Sequence, residues 1–192
     1  MPNLYIISGC NGAGKTTASY AILPEILDCR EFVNADNIAA GISPFNVAAV
    51  AMEAGRIMLK RIDELLDQRT NFAIETTLST KSYKLLVDRA HNLGYKVTLL
   101  YFWLSSPAVA RERVAIRVSK GGHHIPDETV ERRYYGGLRN LFDIYIPICD
   151  EWALVNSMGH PLKVIAEVSF ASKPDVNDSE TWQLLLENYG QS

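Results

Sequence analysis

The eight residues Gly9-Cys10-Asn11-Gly12-Ala13-Gly14-Lys15-Thr16 satisfy G-x-x-x-x-G-K-[ST] at every defined position. Such a loop can hold phosphates only where a strand leads into it and a helix leads out. Both flanks comply: Leu4-Tyr5-Ile6-Ile7 reads as a short buried strand, and Lys15 to Leu23 as a helix stopped by Pro24. Glycines at 9, 12 and 14 let consecutive N–H groups turn inward, where they and the positive end of the helix meet an anion. Lys15 is expected to reach the outer phosphates of a nucleotide, and the Thr16 hydroxyl to ligate Mg²⁺. Asn11, Ala13 and Thr17 complete the expected nucleotide contacts.

The remaining chain alternates strand and helix signals. Glu31 to Asp36 reads as a second short strand ending in an acid, and Asn71 to Thr77 as a third closed by polar groups. Ser43-Pro44 has the form of an N-cap and first helical position, opening a long helix with Val47, Ala54, Met58 and Ile62 on its apolar stripe. Thr80 to Leu93 predicts a helix closed by Gly94, and Tyr95 to Leu104 the strongest strand. Ser106-Pro107 opens a helix bearing Arg111, Arg113 and Arg117. Gly121 to Pro126 is a loop, and a helix from Asp127 or Thr129 carries Arg132 and Arg133. Leu162 to Phe170 predicts a last strand, Lys173 to Asp178 a turn, and Ser179 to Tyr189 a closing helix. This order predicts an α/β fold with a mostly parallel, doubly wound sheet. A length of 192 residues suits a single domain, residues 1–192, with an arginine-rich helical lid over about 107–140.

Composition narrows the function. A formal net charge of −3 argues against a general nucleic-acid binder. Yet seven basic side chains against four acidic ones lie between Arg111 and Arg139, which marks that region as one that meets an anion. Cys10, Cys29 and Cys149 are too scattered for a disulfide framework or zinc site. No apolar run approaches bilayer-spanning length and the start lacks a signal-peptide pattern, so a cytoplasmic protein without a membrane partner is expected.

The candidate chemistry collects at predicted strand ends, where open α/β sheets place their ligands. Asp36 suits a general base toward a substrate hydroxyl, an acid that organises Mg²⁺ through water, or a helix N-cap. Glu75 suits a metal-organising acid, an acceptor contact or a hydrolytic base. Arg117 and one of Arg132 or Arg133 suit γ-phosphate contacts, since a guanidinium can hold transferring oxygens bidentately. His123 and His124 lack neighbouring ligands for a metal and suit a structural or substrate-contact role.

The ordered set Gly9–Thr17, Phe32-Val-Asn-Ala-Asp36, Ala54-Gly-Arg56, Phe72-Ala-Ile-Glu-Thr-Thr-Leu-Ser79, Gly94–Val97 and Arg117–His123, with Arg132–Tyr134 and Asn140-Leu141 behind it, resembles the zeta-toxin family of P-loop kinases over roughly residues 3–170. The resemblance implies phosphorylation of a hydroxyl on UDP-N-acetylglucosamine or a related amino sugar by ATP, and a protein antitoxin as partner. It places Lys15 on the nucleotide phosphates, Asp36 as catalytic base, and Glu75 and Thr77 on the sugar. Arg117 and Arg133 match the two γ-phosphate arginines, with Arg132 an alternative for the second. Leu78-Ser79 departs from the family, which tends to carry an arginine shortly after its Glu-x-Thr. Another metabolite, or an ATP-driven switch, are the rival readings. The switch reading needs a clear Walker-B Asp-Glu pair and, for a transporter-like ATPase, a Leu-Ser-Gly-Gly signature, and neither is present.

Overall fold

A computed structural model describes residues 1–169 and 173–190. Its centre is a seven-stranded sheet in the order β2-β3-β1-β4-β5-β6-β7. The strands are β1 (Asn3–Gly9), β2 (Glu31–Val33), β3 (Phe72–Thr76), β4 (Lys96–Trp103), β5 (Glu151–Asn156), β6 (Lys163–Val168) and β7 (Asp175–Val176). The first five are parallel; β6 pairs antiparallel with β5, and β7 pairs antiparallel with β6. β1 lies between β3 and β4 and from Leu4 onward has no exposed residue, as a central strand covered on both faces requires. Leu4, Ile6, Phe72, Ile74, Leu99 and Leu104 are fully buried, each worth roughly 1.5–3 kcal/mol of transfer free energy.

The helices are α1 (Lys15–Glu25), α2 (Ala35–Ile42), α3 (Ala51–Asp67), α4 (Tyr83–Asn92), α5 (Pro107–Ser119), α6 (Asp127–Asn140), the short α7 (Ile146–Ile148) and α8 (Ser179–Tyr189). α3 buries Ala54, Met58, Ile62, Leu65 and Leu66, the 3.6-residue stripe expected of a helix packed on a sheet. At α5 the Ser106 hydroxyl accepts from the Val109 amide at 3.3 Å and Pro107 begins the helix, as the sequence predicts. A Glu131–Arg111 ion pair of 2.9 Å joins α6 to α5.

Five expectations change. Ser43-Pro44 does not begin α3: Ser43 closes α2, its amide donating to the Ala39 carbonyl at 2.9 Å. Pro44 lacks the donor needed to continue that helix, and after a 3₁₀ turn at Val47–Val50 the chain enters α3 at Ala51. α1 continues one residue past Pro24, which sits in its last turn. Residues 141–161, which carry no element in the sequence reading, hold a π-helical turn at Leu141–Tyr145, α7 and the whole of β5. The predicted last strand ends at Val168, its final residue, Phe170, lying outside the described residues. The predicted turn over 173–178 contains β7.

Candidate active site

The loop after β1 wraps an open cavity of about 270 Å³ whose wall includes Gly12, Gly14, Lys15, Thr16 and Thr17. Gly12 has φ 81°, and a Cβ there would stand 2.8 Å from the Ala110 carbonyl oxygen, so no side chain fits. Gly9 has a different duty: a Cβ on it would collide with the Phe102 carbonyl of β4. Ala13 is buried, and its carbonyl accepts from the Ser157 hydroxyl at 2.6 Å, which braces the loop from the end of β5.

Lys15 is buried, with Nζ donating to the Cys10 carbonyl at 3.1 Å and lying 3.8 Å from Glu75 Oε1. The other carboxylate oxygen of Glu75 accepts from the Thr16 hydroxyl at 2.7 Å and from Asn34 Nδ2 at 2.8 Å. The parallel register Ile7↔Glu75 and Ser8↔Thr76 carries the acid to the loop. Thr16 Oγ1 and Glu75 Oε2 form a pair of hard oxygens beside the phosphate cavity, a donor set that suits Mg²⁺ shared with a nucleotide. Burial pushes the Cys10 thiol up to about 11, so it is a neutral apolar part of the loop and not a nucleophile.

Asp36 does not end a strand as expected. β2 stops at Val33, and Asp36 lies in the first turn of α2. Asn34 takes the capping role considered for Asp36, its Oδ1 accepting from the amides of Asp36 at 2.8 Å and Asn37 at 3.1 Å. The Asp36 carboxylate is thereby left with its side chain 56 % exposed, facing the cavities.

A second cavity of about 240 Å³ is lined by Thr76, Thr77, Ser79, Thr80 and Tyr83. It shares Asn11, Lys15, Asp36 and Glu75 with the phosphate cavity, so the two chambers meet at a cation and two carboxylates. The turn that lines it is unusual: Leu78 is fully buried with φ 53°, a conformation that non-glycine residues adopt only when their surroundings impose it. Asn140 Nδ2 donates to the Leu78 carbonyl at 2.7 Å and Tyr145 to the Thr80 carbonyl at 2.9 Å. The hydroxyls of Thr77 and Ser79 lie 2.9 Å apart.

The arginines divide between the chambers. Arg133 lines the second and donates to Asn11 Oδ1 at 3.2 Å. Burial lowers its pKa and the Asp36 charge opposes that shift. Arg132, one position earlier on the same helix, is exposed and lines neither chamber. Arg117 lines the phosphate cavity and donates to the His123 carbonyl at 3.1 Å, while its Nε is buried without a partner among the described residues. A buried donor without an acceptor has a place for an anion. Arg113, unassigned from sequence, lines the same cavity and reaches the Met158 carbonyl at 3.3 Å. Among the described residues, no group of three or more His, Cys, Asp or Glu side chains is placed to hold a metal.

Apart from Gly9 and Ala13, which serve the loop's packing, and the alternative arginine Arg132, the predicted nucleotide, catalytic and acceptor residues line one or both chambers. Sequence reasoning assigned no role to Asn34 or Ser157. Asparagine directly before a helix is an N-cap signal and was the available clue for Asn34; nothing local marks Ser157.

The model of the Zeta toxin family matches residues 1–144. An uncharacterised protein of Haemophilus influenzae is 29 % identical over 126 residues, 66 % of this chain and 88 % of that protein. A chain in the crystal structure of AvrRxo1-ORF1:ORF2 with ATP superposes with a TM-score of 0.80 at 16 % identity, covering 96 % of this chain. The present chain spans 63 % of that one. The PezAT chromosomal toxin–antitoxin system of Streptococcus pneumoniae gives 0.68 at 17 % identity over 97 % and 85 % of the two chains. A gluconokinase from Sinorhizobium meliloti gives 0.52 at 18 % identity over 82 % and 83 %. These likenesses establish the P-loop kinase fold. With its strand, phosphate loop and arginine helices inside the matched span, the chain belongs to the Zeta toxin family.

Proposed function

We propose that this protein is a kinase that transfers the γ-phosphoryl group of ATP to a hydroxyl of a small molecule. The observation that carries the reading is the junction of two chambers at Asn11, Lys15, Asp36 and Glu75. ATP phosphates occupy the loop side, against Lys15, Arg117 and the amides of the glycine loop. The acceptor occupies the side lined by Thr77, Ser79 and Tyr83, with its hydroxyl at Asp36. Asp36 takes the hydroxyl proton, the acceptor oxygen bonds to the γ-phosphorus, and the bond to the bridging oxygen breaks to release ADP. Arg133 and Arg117 hold the equatorial oxygens from opposite chambers. Thr16, with Glu75 behind it, would hold Mg²⁺, which would supply charge neutralisation to the transferring phosphoryl group. Residues 107–140 act as a lid, because both helices contribute one of these arginines.

The acceptor proposed first is a UDP-N-acetylhexosamine, the substrate the family resemblance implies, with Glu75 and Thr77 as its contacts. A second reading, another hydroxyl metabolite, is favoured by Ser79, whose hydroxyl bonds Thr77 where a cation would suit a diphosphate. An antitoxin is the proposed protein partner, as the PezAT neighbour comes from a toxin–antitoxin system. Three free thiols and no described helix long and apolar enough to cross a membrane fit the proposed cytoplasmic location.

The test is mass spectrometry of protein, Mg²⁺, ATP and a metabolite pool, with Lys15→Ala as control. A gain of one phosphoryl group by UDP-N-acetylglucosamine with intact protein supports the first acceptor. Gain by a different compound supports the second. ATP consumption with no phosphorylated acceptor overturns the kinase reading in favour of a switch.

A further inference from the structure

The loop between α5 and α6 is folded around Arg117. Its amides at Gly121 and Gly122 donate to the carbonyls of Val118 and Arg117, each at 3.0 Å. A Cβ at Gly122 would stand 2.7 Å from Arg117 Cγ and 2.9 Å from the Arg117 carbonyl oxygen, so the loop lies directly on that side chain. The next residue, His123, makes two contacts in opposite directions. Its carbonyl accepts from Arg117 Nη2 at 3.1 Å. Its imidazole Nε2 lies 3.8 Å from Asp36 Oδ2, with the ring 31 % exposed.

That second distance is too long for a hydrogen bond and suits an ion pair or a contact that tightens with a small movement. Asp36 is also faced by Arg133 from α6, and Lys15 and Glu75 share both of its chambers. Among these groups His123 alone also touches Arg117. Among the described residues, Arg117, whose Nε is buried without a partner, makes no other side-chain hydrogen bond.

We propose that His123 is a positioning residue that couples the lid arginine Arg117 to Asp36: its backbone carbonyl holds the guanidinium while its imidazole rests against the carboxylate. The coupling is mutual, because two groups joined through one residue restrain each other equally. Placing an acceptor hydroxyl at Asp36 therefore also fixes the loop that aims Arg117 into the phosphate cavity. The catalytic consequence rests on the kinase reading; the contact itself does not.

The experiment is hydrogen–deuterium exchange of residues 120–126 in wild type, His123→Ala, Asp36→Ala and the double variant. Each single variant is expected to speed exchange of the Gly121 and Gly122 amides by about tenfold, the scale of coupling between contacting groups, and the double variant to be no faster than His123→Ala. Asp36→Asn, which preserves shape and removes charge, checks that α2 remains folded and should still speed exchange. Unchanged protection in both Asp36 variants overturns the proposal. With an acceptor in hand, His123→Ala should lower kcat about tenfold and leave the KM for ATP near wild type. His123→Gln, which can donate to Asp36, should recover most of that loss, and His123→Leu should not. Equal recovery by Leu and Gln reduces His123 to packing and overturns the positioning role. A wild-type protein that phosphorylates nothing removes the kinase reading, and the exchange result still decides whether the coupling exists.

Discussion

The hydroxyl of Thr16 and the carboxylate of Glu75 are 2.7 Å apart, which joins the first turn of α1 to the end of β3. Asn34 shares the same oxygen at 2.8 Å, so the acid is oriented from two sides. Residues that support a metal ligand in this way typically change affinity or activity by about 10–100-fold when altered. Glu75→Gln is expected to reduce transfer by about that factor and to raise the Mg²⁺ concentration needed for half-maximal rate. A Mg²⁺ titration of both proteins checks it, and an unchanged midpoint would remove Glu75 from the metal's surroundings.

Asp36→Asn should bind ATP as wild type does and lose about 10²–10⁴-fold in transfer, the usual weight of a positioned general base. Rapid-quench transfer assays beside calorimetric ATP titration separate the two effects. Retained transfer would mean that another group accepts the proton.

The two neighbouring arginines of α6 should behave very differently. Arg133 reaches Asn11 on the phosphate loop, whereas Arg132 is exposed. Arg133→Ala is expected to cost roughly three decades in rate or more, and Arg132→Ala to leave it close to wild type. The reverse order in the same assay would assign the contact to Arg132.

The acceptor turn is held closely by α6. A Cβ at Gly137 would stand 2.6 Å from the Thr77 carbonyl oxygen and 3.0 Å from the Tyr101 hydroxyl. Gly137→Ala should therefore destabilise the fold by about 1–3 kcal/mol, as overpacking does, and raise the KM for acceptor more than that for ATP. Urea unfolding and steady-state kinetics read the two parts.

The buried thiols predict an alkaline weakness. Burial pushes Cys10 and Cys29 up to about 11 and Cys149 to about 12. Above the ordinary thiol range the unfolded chain releases these protons while the folded chain keeps them, so unfolding is favoured increasingly as pH rises toward 11 and 12. Urea midpoints should fall more steeply between pH 9 and pH 11 in wild type than in a variant with all three cysteines changed to alanine. Parallel slopes would contradict the assignment.

Much of this was legible in the sequence because the informative residues act locally. Gly9 to Thr16 specifies its own strand–loop–helix, and Ser106-Pro107 specifies the start of α5. Asp36 was recognised as chemistry-bearing but misplaced by a few residues, since β2 covers only Glu31–Val33 and Asn34 already begins the helix cap. The Ser43-Pro44 signal was overridden because the same serine serves the end of α2. β5 escaped notice: its buried Trp152, Leu154 and Val155 make a pattern too short to separate from the helical turns before it. The choice between Arg132 and Arg133 depended on which way one helical position points toward a loop far away in the chain, and no local pattern carries that.

The bond between Asn11 and Arg133 spans 122 positions of chain. No fragment that emerges early in synthesis can make it, and a molecule that has formed its first strand and phosphate loop still lacks Arg117 and Arg133. On the proposed kinase reading, phosphoryl transfer therefore waits until the polypeptide has closed over itself.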